Sequence, residues 1–205
     1  MKNRDYRNFA PNTIFHIYNR GNNREEIFFN EQDYKAFLFR IGLALGIELE
    51  ILQKENLLSL PYSRIRINGN KNLFRLHAFC LMPNHFHLLI EQTGDISVSK
   101  LISQICTSYS MYINKKYKRV GHVFQDKFKA VLIENNPQLM WISAYIHMNP
   151  VKSKLVKHPS DYKWSSYNDF LGKRNLPILY TNFLISNFNS NDFEKETFEL
   201  SSKEK

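Results

Sequence analysis

Two apolar runs separated by a turn predict a β-hairpin near the middle of the chain. The first run covers residues 76–81, the second covers residues 86–90, and the turn between them contains Pro83 and Asn84. Short apolar runs bounded by turn-forming residues are typical of strands, whereas helices need longer periodic stretches. The two strands of a hairpin pair antiparallel, so the chain is expected to fold around a β-sheet.

Two histidines, His85 and His87, flank Phe86 on the second predicted strand. Successive side chains of a strand point to opposite faces and rise about 3.3 Å each, so the two histidines share a face with Cα atoms roughly 7 Å apart. Two imidazoles placed in this way can converge on one metal ion, while Phe86 faces the core. A hairpin with an ordinary polar face would show the same pattern, so the pattern alone leaves both interpretations open.

Strand and helix patterns alternate on both sides of this hairpin. Apolar alternation predicts one strand at residues 13–18 and another at residues 128–133. Helical spacing predicts one helix that begins after Asn30 and a second helix at about residues 97–116. The order strand, helix, strand, strand, helix, strand is the βαββαβ pattern of a ferredoxin-like α+β sandwich. The periodicity leaves the order of the strands within the sheet open.

A further helix follows the last predicted strand. It is predicted to begin at Asn136 and Pro137, because proline is favoured in the first turn of a helix. Its buried face is marked by apolar residues at helical spacing: Leu139, Ile142 and Ile146. A different face carries polar and aromatic residues at spacing i, i+4, i+8: Trp141, Tyr145 and Asn149. Pro150 disfavours a helical conformation of the preceding residue, so the helix is predicted to end at Asn149.

The length of 205 residues fits one domain that buries roughly 70% of its unfolded surface. We expect a flexible N-terminus at residues 1–12, the main domain at residues 13–172 and a C-terminal extension at residues 173–205. An insertion is expected at about residues 47–72, where the preceding helix could continue before a surface loop begins. The polar, charged residues from about 187 onward are expected to form an appended or frayed tail.

The chain is strongly basic, and part of its positive charge is concentrated in one segment. Twenty-eight Lys and Arg residues against nineteen Asp and Glu residues give a formal charge of +9. The basic segment, defined as residues 115–129, contains six cations and one acidic residue: Lys115, Lys116, Lys118, Arg119, Lys127 and Lys129 against Asp126. Aromatic residues interleave with these cations, which suits a nucleic-acid backbone. A solvated surface would have the same composition.

Cysteine content and the length of the apolar runs argue against several protein classes. Only Cys80 and Cys106 occur, one in a predicted strand and one in a predicted helix, which argues against a disulfide framework or a cysteine-based zinc site. No run approaches the roughly 20 apolar residues of a membrane-spanning helix, and the N-terminus lacks a signal-peptide pattern. We therefore expect a soluble protein of the reducing cytoplasm with no membrane partner.

Five short motifs occur in the order found in one known family. They are Tyr18-Asn19-Arg20-Gly21, Met82-Pro83-Asn84-His85-Phe86-His87-Leu88-Leu89, Gly121-His122-Val123-Phe124-Gln125, Tyr145-Ile146-His147-Met148-Asn149-Pro150-Val151 and Trp164-Ser165-Ser166-Tyr167. Over about residues 13–172 the chain thereby resembles the REP-associated tyrosine transposases. These belong with the single-strand transposases of small bacterial insertion sequences, among the His-hydrophobe-His (HUH) endonucleases. Each motif alone is weak, but five in the family order make the resemblance specific.

This resemblance implies a metal-dependent enzyme that nicks single-stranded DNA and leaves a 5′-phosphotyrosine link. His85 and His87 match the metal-binding pair of the family, and Tyr145 matches the nucleophile on the C-terminal helix. Asn149 lies one helical turn later, where family members place a polar amide that completes the metal site. Insertion-sequence transposases commonly have Gln there, so the third ligand stays open. The implied cofactor is Mg²⁺ or Mn²⁺, and the implied partner is hairpin-containing single-stranded DNA, bound by a monomer or a homodimer.

Several polar residues outside the metal pair are candidates for DNA contact. They lie in the Tyr-Asn-Arg-Gly motif and in the basic segment: Arg20, Lys118, Arg119, His122, Gln125, Lys127 and Lys129. His122 could equally have a structural role. Tyr112 and Tyr117 lie beside or within the basic segment and are rival nucleophiles, while His77 and His147 are expected to bind no metal.

Two other functions fit parts of the same pattern. A domesticated, non-cleaving DNA- or RNA-binding module would keep the basic surface, because the βαββαβ scaffold also carries single-strand recognition. A zinc-dependent hydrolase would use the same histidines, but the sequence offers no convincing carboxylate base near them. The intact set of His85, His87 and Tyr145 argues against a decayed site, while a repressor-like role stays open.

Overall fold

The computed structural model describes residues 9–55, 57, 70–188 and 192–202, so only the last four residues of the predicted flexible N-terminus are described. The strands in these ranges are β1 (Thr13–Arg20), β2 (Phe74–Met82), β3 (His85–Gln92) and β4 (Lys129–Leu132). The helices are α1 (Glu31–Leu45), α2 (Leu49–Lys54), α3 (Val98–Lys116), α4 (Asn136–Lys152), α5 (Tyr167–Phe170), α6 (Asn182–Ile185) and α7 (Phe193–Ser202). Short 3-10 turns occur at Asn22–Arg24 and Pro159–Asp161.

The four strands form one antiparallel sheet in the order β2-β3-β1-β4. β3 pairs with β2 through the predicted hairpin and with β1 on its other side, and β4 lies beside β1. Along the chain, β1, α1, β2, β3, α3 and β4 follow one another in the predicted βαββαβ order. This topology is that of a ferredoxin-like α+β sandwich, so the predicted fold class is confirmed.

Helices α1 and α3 cover one face of the sheet. Phe86 of β3 points to this face, and its ring lies 5.0 Å from that of Phe37 on α1. The ring of Tyr109 on α3 lies 4.9 Å from Phe37. All three aromatic side chains are buried, which confirms that Phe86 faces the core. Because strand side chains alternate, His85 and His87 point to the opposite face.

Clear sequence signals mark both ends of helix α1. The side chain of Asn30 caps its first turn, and the Asp33 carboxylate accepts a hydrogen bond from the Asn30 N–H, which completes a capping box. Gly46 ends the helix in the left-handed conformation with φ +82°, which glycine adopts without steric cost. The alternative that α1 continues into the predicted insertion is therefore wrong, since α2 is a separate short helix. The surface loop predicted for the later part of this insertion lies mostly outside the described residues.

Helix α4 covers the face of the sheet that carries the histidines. Asn135 caps the helix by accepting a hydrogen bond from the Gln138 N–H at 2.9 Å, and Pro137 occupies the first turn. The predicted apolar stripe is buried against strand residues of this face: Leu139, Ile142 and Ile146. The predicted start and the buried stripe of α4 are therefore confirmed.

Helix α4 continues to Lys152, so the prediction that it ends at Asn149 was wrong. Pro150 lacks an N–H and so removes a single backbone hydrogen bond near the end of the helix, where several carbonyls are unpaired in any case. The last turn still closes, because the Ser153 N–H donates to the Asn149 carbonyl at 2.9 Å. Asn149 therefore keeps helical geometry one turn after Tyr145, and both side chains lie on one face.

The outer edge of β2 is covered by chain that follows α4. The Leu81 N–H donates to the Trp164 carbonyl at 2.8 Å, and the Tyr180 N–H donates to the Leu76 carbonyl at 2.8 Å. Covering an edge strand in this way satisfies backbone groups that would otherwise be open to another chain. Part of the predicted extension thus packs directly on the sheet. The division of the chain at residue 172 stays a prediction.

The C-terminal helix α7 packs against α4. Its first residue, Phe193, is buried in a cluster of aromatic rings, 4.9 Å from Phe170 and 5.5 Å from His147 of α4. The alternative that this tail is frayed is therefore wrong for residues 192–202. The mostly polar composition of this segment did not predict a packed helix, because only one aromatic side chain, Phe193, is buried.

Phe193→Ala is expected to lower the free energy of unfolding by roughly 3–5 kcal/mol, because it removes a buried ring and leaves a cavity. Urea unfolding followed by circular dichroism measures the change. The matched control is Phe198→Ala on the same helix, since that side chain is 36% exposed and should lose much less. Equal effects of the two substitutions would show that α7 is not anchored through Phe193.

None of the helices in the described part of the chain combines the length and the apolar composition needed to cross a membrane.

Candidate active site

The sheet face beneath α4 collects polar side chains from two neighbouring strands. The register of β1 and β3 places Tyr18 opposite His87 and Arg20 opposite His85. His16 lies two residues before Tyr18, so it shares this face as well. His16 and His87 are buried, whereas His85 is half-buried. The rings of His85 and His87 lie 5.1 Å apart, so the two imidazoles border the same space.

Helix α4 places Tyr145 and Asn149 over this face. The Tyr145 ring lies edge-on to the His87 ring at 5.4 Å and to the His16 ring at 6.0 Å. One turn later, Nδ2 of Asn149 lies 3.4 Å from Nε2 of His87. The structure therefore brings together all four residues predicted as nucleophile and metal ligands, from one strand and one helix.

Both ring nitrogens of His87 have a partner. Nδ1 lies 2.9 Å from Nε2 of His16, and Nε2 faces the Asn149 amide. Burial lowers the pKa of His87 well below its ordinary value, and the neighbouring His16 and His85 add to the shift. Burial also lowers the pKa of His16 to about 4. Both imidazoles are therefore neutral at pH 7, and an imidazole must be neutral to bind a metal ion.

A residue of the turn before β3, Asn84, contacts the His85 ring. Nδ1 of His85 lies 2.6 Å from Oδ1 of Asn84. Burial lowers the pKa of His85 to about 4, the nearby charge of Arg20 acts in the same direction, and a hydrogen bond with Asn149 opposes them. His85 is therefore also neutral at pH 7, in the form that binds metal.

The donor atoms at this place suit a divalent ion. Two imidazole nitrogens and one amide oxygen fit Mn²⁺, whereas Mg²⁺ prefers oxygen ligands and would take more of them from water or phosphate. Asn149 turns Nδ2 toward His87, and a half-turn about its Cβ–Cγ bond would present Oδ1, the atom that binds metals. Across the described ranges, no three His, Cys, Asp or Glu side chains are grouped to hold an ion. An ion at this histidine pair would therefore need the amide and further oxygen ligands.

A cavity of about 250 Å³ opens beside Tyr145 and the histidine pair. It is lined by four of the predicted DNA-contact residues: Arg20, Gln125, Lys127 and Lys129. Strand β1 runs two residues beyond its predicted end, which carries Arg20 to the cavity, and the Gln125 N–H donates to the Arg20 carbonyl at 2.9 Å. The cavity therefore combines Tyr145, two neutral imidazoles and a rim that has three cations and the acidic residue Asp126.

The other predicted DNA-contact residues lie away from this cavity. Arg119 forms an ion pair with Glu25 at 3.1 Å, and Lys118 is exposed just after α3. His122 is exposed and lines a neighbouring groove of about 800 Å³, which shares residues 125–127 with the cavity. The basic segment thus has two parts, and only its C-terminal part faces Tyr145.

The rival nucleophiles Tyr112 and Tyr117 lie at the end of α3, which covers the other face of the sheet. Both hydroxyls donate to the carboxylate of Asp33, at 3.1 Å from Tyr112 and 2.7 Å from Tyr117. Burial and this carboxylate raise the pKa of Tyr117 to about 12, and burial chiefly raises the pKa of Tyr112. Both hydroxyls are therefore held as donors in a network remote from the histidine pair.

Two further histidines, predicted as non-ligands, have partners outside the cavity. Nε2 of His77 lies 3.0 Å from the Glu91 carboxylate, and Nδ1 lies 3.1 Å from the Tyr180 carbonyl. Nε2 of His147 lies 2.8 Å from the Ser166 hydroxyl. These contacts join β2 and α4 to the later chain, so both histidines stabilise the fold.

Sequence reasoning assigned no role in the site to His16, Asn84 or Lys152. Nζ of Lys152 lies 5.6 Å from the centre of the Tyr145 ring, on the extra turn of α4 that was not predicted. For His16 a signal was present, since alternation along β1 places it on the same face as Tyr18 in any register. Which residue of β3 it meets depends on the register, which the sequence pattern does not specify.

Three kinds of similarity relate the chain to known proteins. The family described as Transposase IS200 like matches residues 10–149. A Haemophilus influenzae protein that carries the name REP-associated tyrosine transposase is 28% identical over 106 residues, which span 46% of this chain and 60% of that protein. A solved structure of a REP-associated tyrosine transposase bound to a REP hairpin is 20% identical and has a TM-score of 0.59. That match covers 89% of this chain and 92% of the solved chain, and it is a similarity of fold.

Proposed function

The chain belongs to the IS200-like transposases, and from this membership we propose an enzyme that cleaves and rejoins single-stranded DNA. In this proposal Tyr145 is the nucleophile and forms a 5′-phosphotyrosine link, while His85, His87 and Asn149 hold Mg²⁺ or Mn²⁺. All four residues lie within the range that the family matches. The proposed substrate is a single strand that contains a hairpin, because a REP hairpin is bound in the solved structure of similar fold.

The observation that carries this proposal is the contact between α4 and β3. Tyr145 is half-buried, lines the cavity and has its ring 5.4 Å from that of His87. The Asn149 amide approaches the same histidine from the next turn of the helix. A phosphate in this cavity would meet the tyrosine hydroxyl, the histidine pair and the basic rim together, which is the arrangement that phosphoryl transfer requires.

Attack by a tyrosine at neutral pH is limited by the small fraction of phenolate. A tyrosine in water has a pKa of about 10, so roughly one molecule in a thousand is ionised at pH 7, a deficit of about 4 kcal/mol. A divalent ion, when bound, supplies Lewis-acid polarisation of the phosphate. The rim cations Arg20, Lys127 and Lys129 orient the phosphate and stabilise charge that develops on it.

The proposed cleavage exchanges one phosphate ester for another. The Tyr145 oxygen loses its proton and bonds to phosphorus, while the bond from phosphorus to the 3′ oxygen breaks and that oxygen leaves as a 3′ hydroxyl. Since the phosphotyrosine conserves the energy of the broken ester, a 3′ hydroxyl can attack it, release the tyrosine and restore the DNA strand without ATP. Because cleavage and rejoining each exchange one phosphate ester for another, this chemistry suits the transfer of a strand to a new 3′ hydroxyl.

A denaturing gel with hairpin-containing single-stranded DNA tests the proposal. A 5′-phosphotyrosine retains the strand downstream of the cut, so DNA labelled at its 3′ end should give a slow band with Mn²⁺ that survives detergent and disappears with protease. DNA labelled at its 5′ end should instead release a short free fragment. Binding without either product would indicate the non-cleaving DNA-binding alternative.

Hairpin binding is expected to weaken as salt rises, with a log-log slope of about −3 if four phosphates of a single strand are neutralised. The double variant Lys127→Ala, Lys129→Ala should bind more weakly and reduce the magnitude of the slope by about 1.4, because two phosphate contacts are lost. Fluorescence anisotropy over a range of NaCl concentrations measures both quantities.

Two control variants separate the cavity rim from general surface charge. The double variant Lys118→Ala, Arg119→Ala also removes two positive charges, but from the part of the basic segment that lies away from the cavity. It should change the salt slope less than the Lys127, Lys129 variant does. The double variant Lys173→Ala, Lys195→Ala removes two positive charges at exposed lysines that do not line the cavity. Equal slopes in all three variants, or equal affinity for duplex and hairpin, would contradict the proposed DNA site.

A further inference from the structure

Each histidine of the proposed metal pair has a partner at Nδ1 that lies outside the proposed ligand set. For His87 the partner is Nε2 of His16, at 2.9 Å, and for His85 it is Oδ1 of Asn84, at 2.6 Å. His16 lies on β1, and Asn84 lies in the turn between β2 and β3. In both imidazoles the contact occupies the same ring nitrogen and leaves Nε2 for another partner.

The partner of Asn84 indicates where the hydrogen of His85 lies. Nδ2 of Asn84 donates to the Arg24 carbonyl at 3.0 Å, so the amide has its oxygen turned toward His85. An amide oxygen only accepts hydrogen bonds, so this contact favours the hydrogen on Nδ1 of His85, against the hydrogen bond with Asn149 that raises the pKa of His85. Nε2 of His85 then carries the lone pair, which is the atom that a metal ion binds.

The same reasoning applies to His87 from the side of its ring that faces Asn149. Nδ2 of Asn149 is a hydrogen-bond donor and lies 3.4 Å from Nε2 of His87, so this nitrogen is the acceptor. Nδ1 of His87 then carries the hydrogen and donates it to Nε2 of His16. The Asn149 contact favours this tautomer and the His16 contact is compatible with it, with the lone pair on the nitrogen that faces α4.

We infer that His16 and Asn84 are positioning residues that hold His87 and His85 in the Nδ1–H tautomer and so direct both Nε2 lone pairs toward the metal ion. The inference rests on the proposed function, since it takes His85 and His87 as the metal-binding pair. In water the Nε2–H form of histidine is the more abundant one. Without a partner at Nδ1, an ion would therefore have to displace a hydrogen from Nε2 in many molecules.

Packing alone does not explain a histidine at position 16. The side chain is buried on a strand, 5% exposed, beside Tyr18 at a ring distance of 5.1 Å. An apolar ring would fill this volume without burying polar nitrogens, whose desolvation is costly unless they are hydrogen-bonded. The hydrogen bond to His87 offsets the desolvation of the His16 nitrogen. A hydrogen-bond partner of a metal-binding histidine typically changes metal affinity by about 10–100-fold.

The experiment compares two variants of the full-length protein, one without and one with a hydrogen-bond acceptor opposite Nδ1 of His87. His16→Phe keeps an aromatic ring but removes the acceptor, whereas His16→Gln places an amide oxygen near the position of Nε2. Mn²⁺ affinity, measured by electron paramagnetic resonance without DNA, should fall about 10–100-fold in His16→Phe and recover in His16→Gln. Long-range ¹H–¹⁵N spectra of the metal-free protein should show His87 as Nδ1–H in the wild type and in His16→Gln. In His16→Phe the Nε2–H form should increase, since only the Asn149 contact then opposes it.

The outcomes separate this inference from the proposed function. An Nε2–H tautomer of His87 in the wild type, or equal Mn²⁺ affinity of the two His16 variants, overturns the inference even when the wild type forms its DNA adduct. Failure to form an adduct, with the tautomers and affinities as expected, overturns the proposed chemistry alone. Should His16→Phe fail to fold, the wild-type spectrum and Asn84→Ala, which should alter the tautomer of His85 only, decide the matter.

Discussion

Tyr145→Phe is expected to abolish the covalent protein–DNA adduct, with cleavage falling by at least about 1,000-fold, while hairpin and Mn²⁺ binding stay at the wild-type level. The substitution removes the phenolic oxygen and keeps the ring. The ring contacts with Trp141 at 5.6 Å and with His87 at 5.4 Å therefore remain, and α4 should keep its position. A gel with 3′-labelled DNA measures the adduct, and anisotropy measures binding.

The matched controls are Tyr112→Phe and Tyr117→Phe. Their hydroxyls donate to Asp33 on the other side of the sheet, so each variant should still form the adduct even if it is less stable than the wild type. An adduct that persists in Tyr145→Phe and disappears in one of these variants would show that the nucleophile has been assigned to the wrong tyrosine.

His87→Ala and His85→Ala are expected to lose cleavage because they lose the ion. Removing a direct ligand should weaken Mn²⁺ binding by at least about 100-fold, since the loss of an outer partner alone costs about 10–100-fold. Excess Mn²⁺ should restore part of the activity of either variant, whereas no metal concentration should rescue Tyr145→Phe. Mn²⁺ titration followed by electron paramagnetic resonance, with the adduct gel at each metal concentration, measures both effects.

Two further variants serve as comparisons for the loss of Mn²⁺ affinity and cleavage in the histidine variants. His122→Ala removes an exposed histidine that lies outside the cavity, so its Mn²⁺ affinity should equal that of the wild type. Asn149→Ala should be milder than either histidine variant, because water can replace an amide oxygen as a ligand. Full cleavage by the wild type in EDTA would show that His85, His87 and Asn149 have been wrongly assigned as metal ligands.

Local patterns in the sequence were sufficient for the elements and for several site residues. The hairpin, the βαββαβ order and the start of α4 follow from apolar spacing, turn residues and caps, which act over a few neighbouring positions. Alternation along a strand placed His85 and His87 on one face, and helical spacing placed Tyr145 and Asn149 on another. The roles of these four residues came from the family resemblance.

Local patterns failed where a residue's conformation or partner depends on distant chain. Pro150 was expected to end α4, yet the packed helix tolerates one missing hydrogen bond near its end. The tail after residue 187 has a polar composition, yet Phe193 anchors a helix to α4. For Phe193 a tertiary contact outweighs the local preference, whereas for Pro150 the missing hydrogen bond lies near the helix end, where it costs little.

The sequence by itself determined the βαββαβ elements, the start of α4 and which faces their side chains share, because these follow from the backbone periods of strands and helices and from helix caps. Only the tertiary structure decided the strand order β2-β3-β1-β4, the register that sets Tyr18 opposite His87, and the contact between His16 and His87. It also divided the basic segment into a part that faces Tyr145 and a part that does not. Pairing between distant strands depends on how whole faces pack, and no local spacing specifies it.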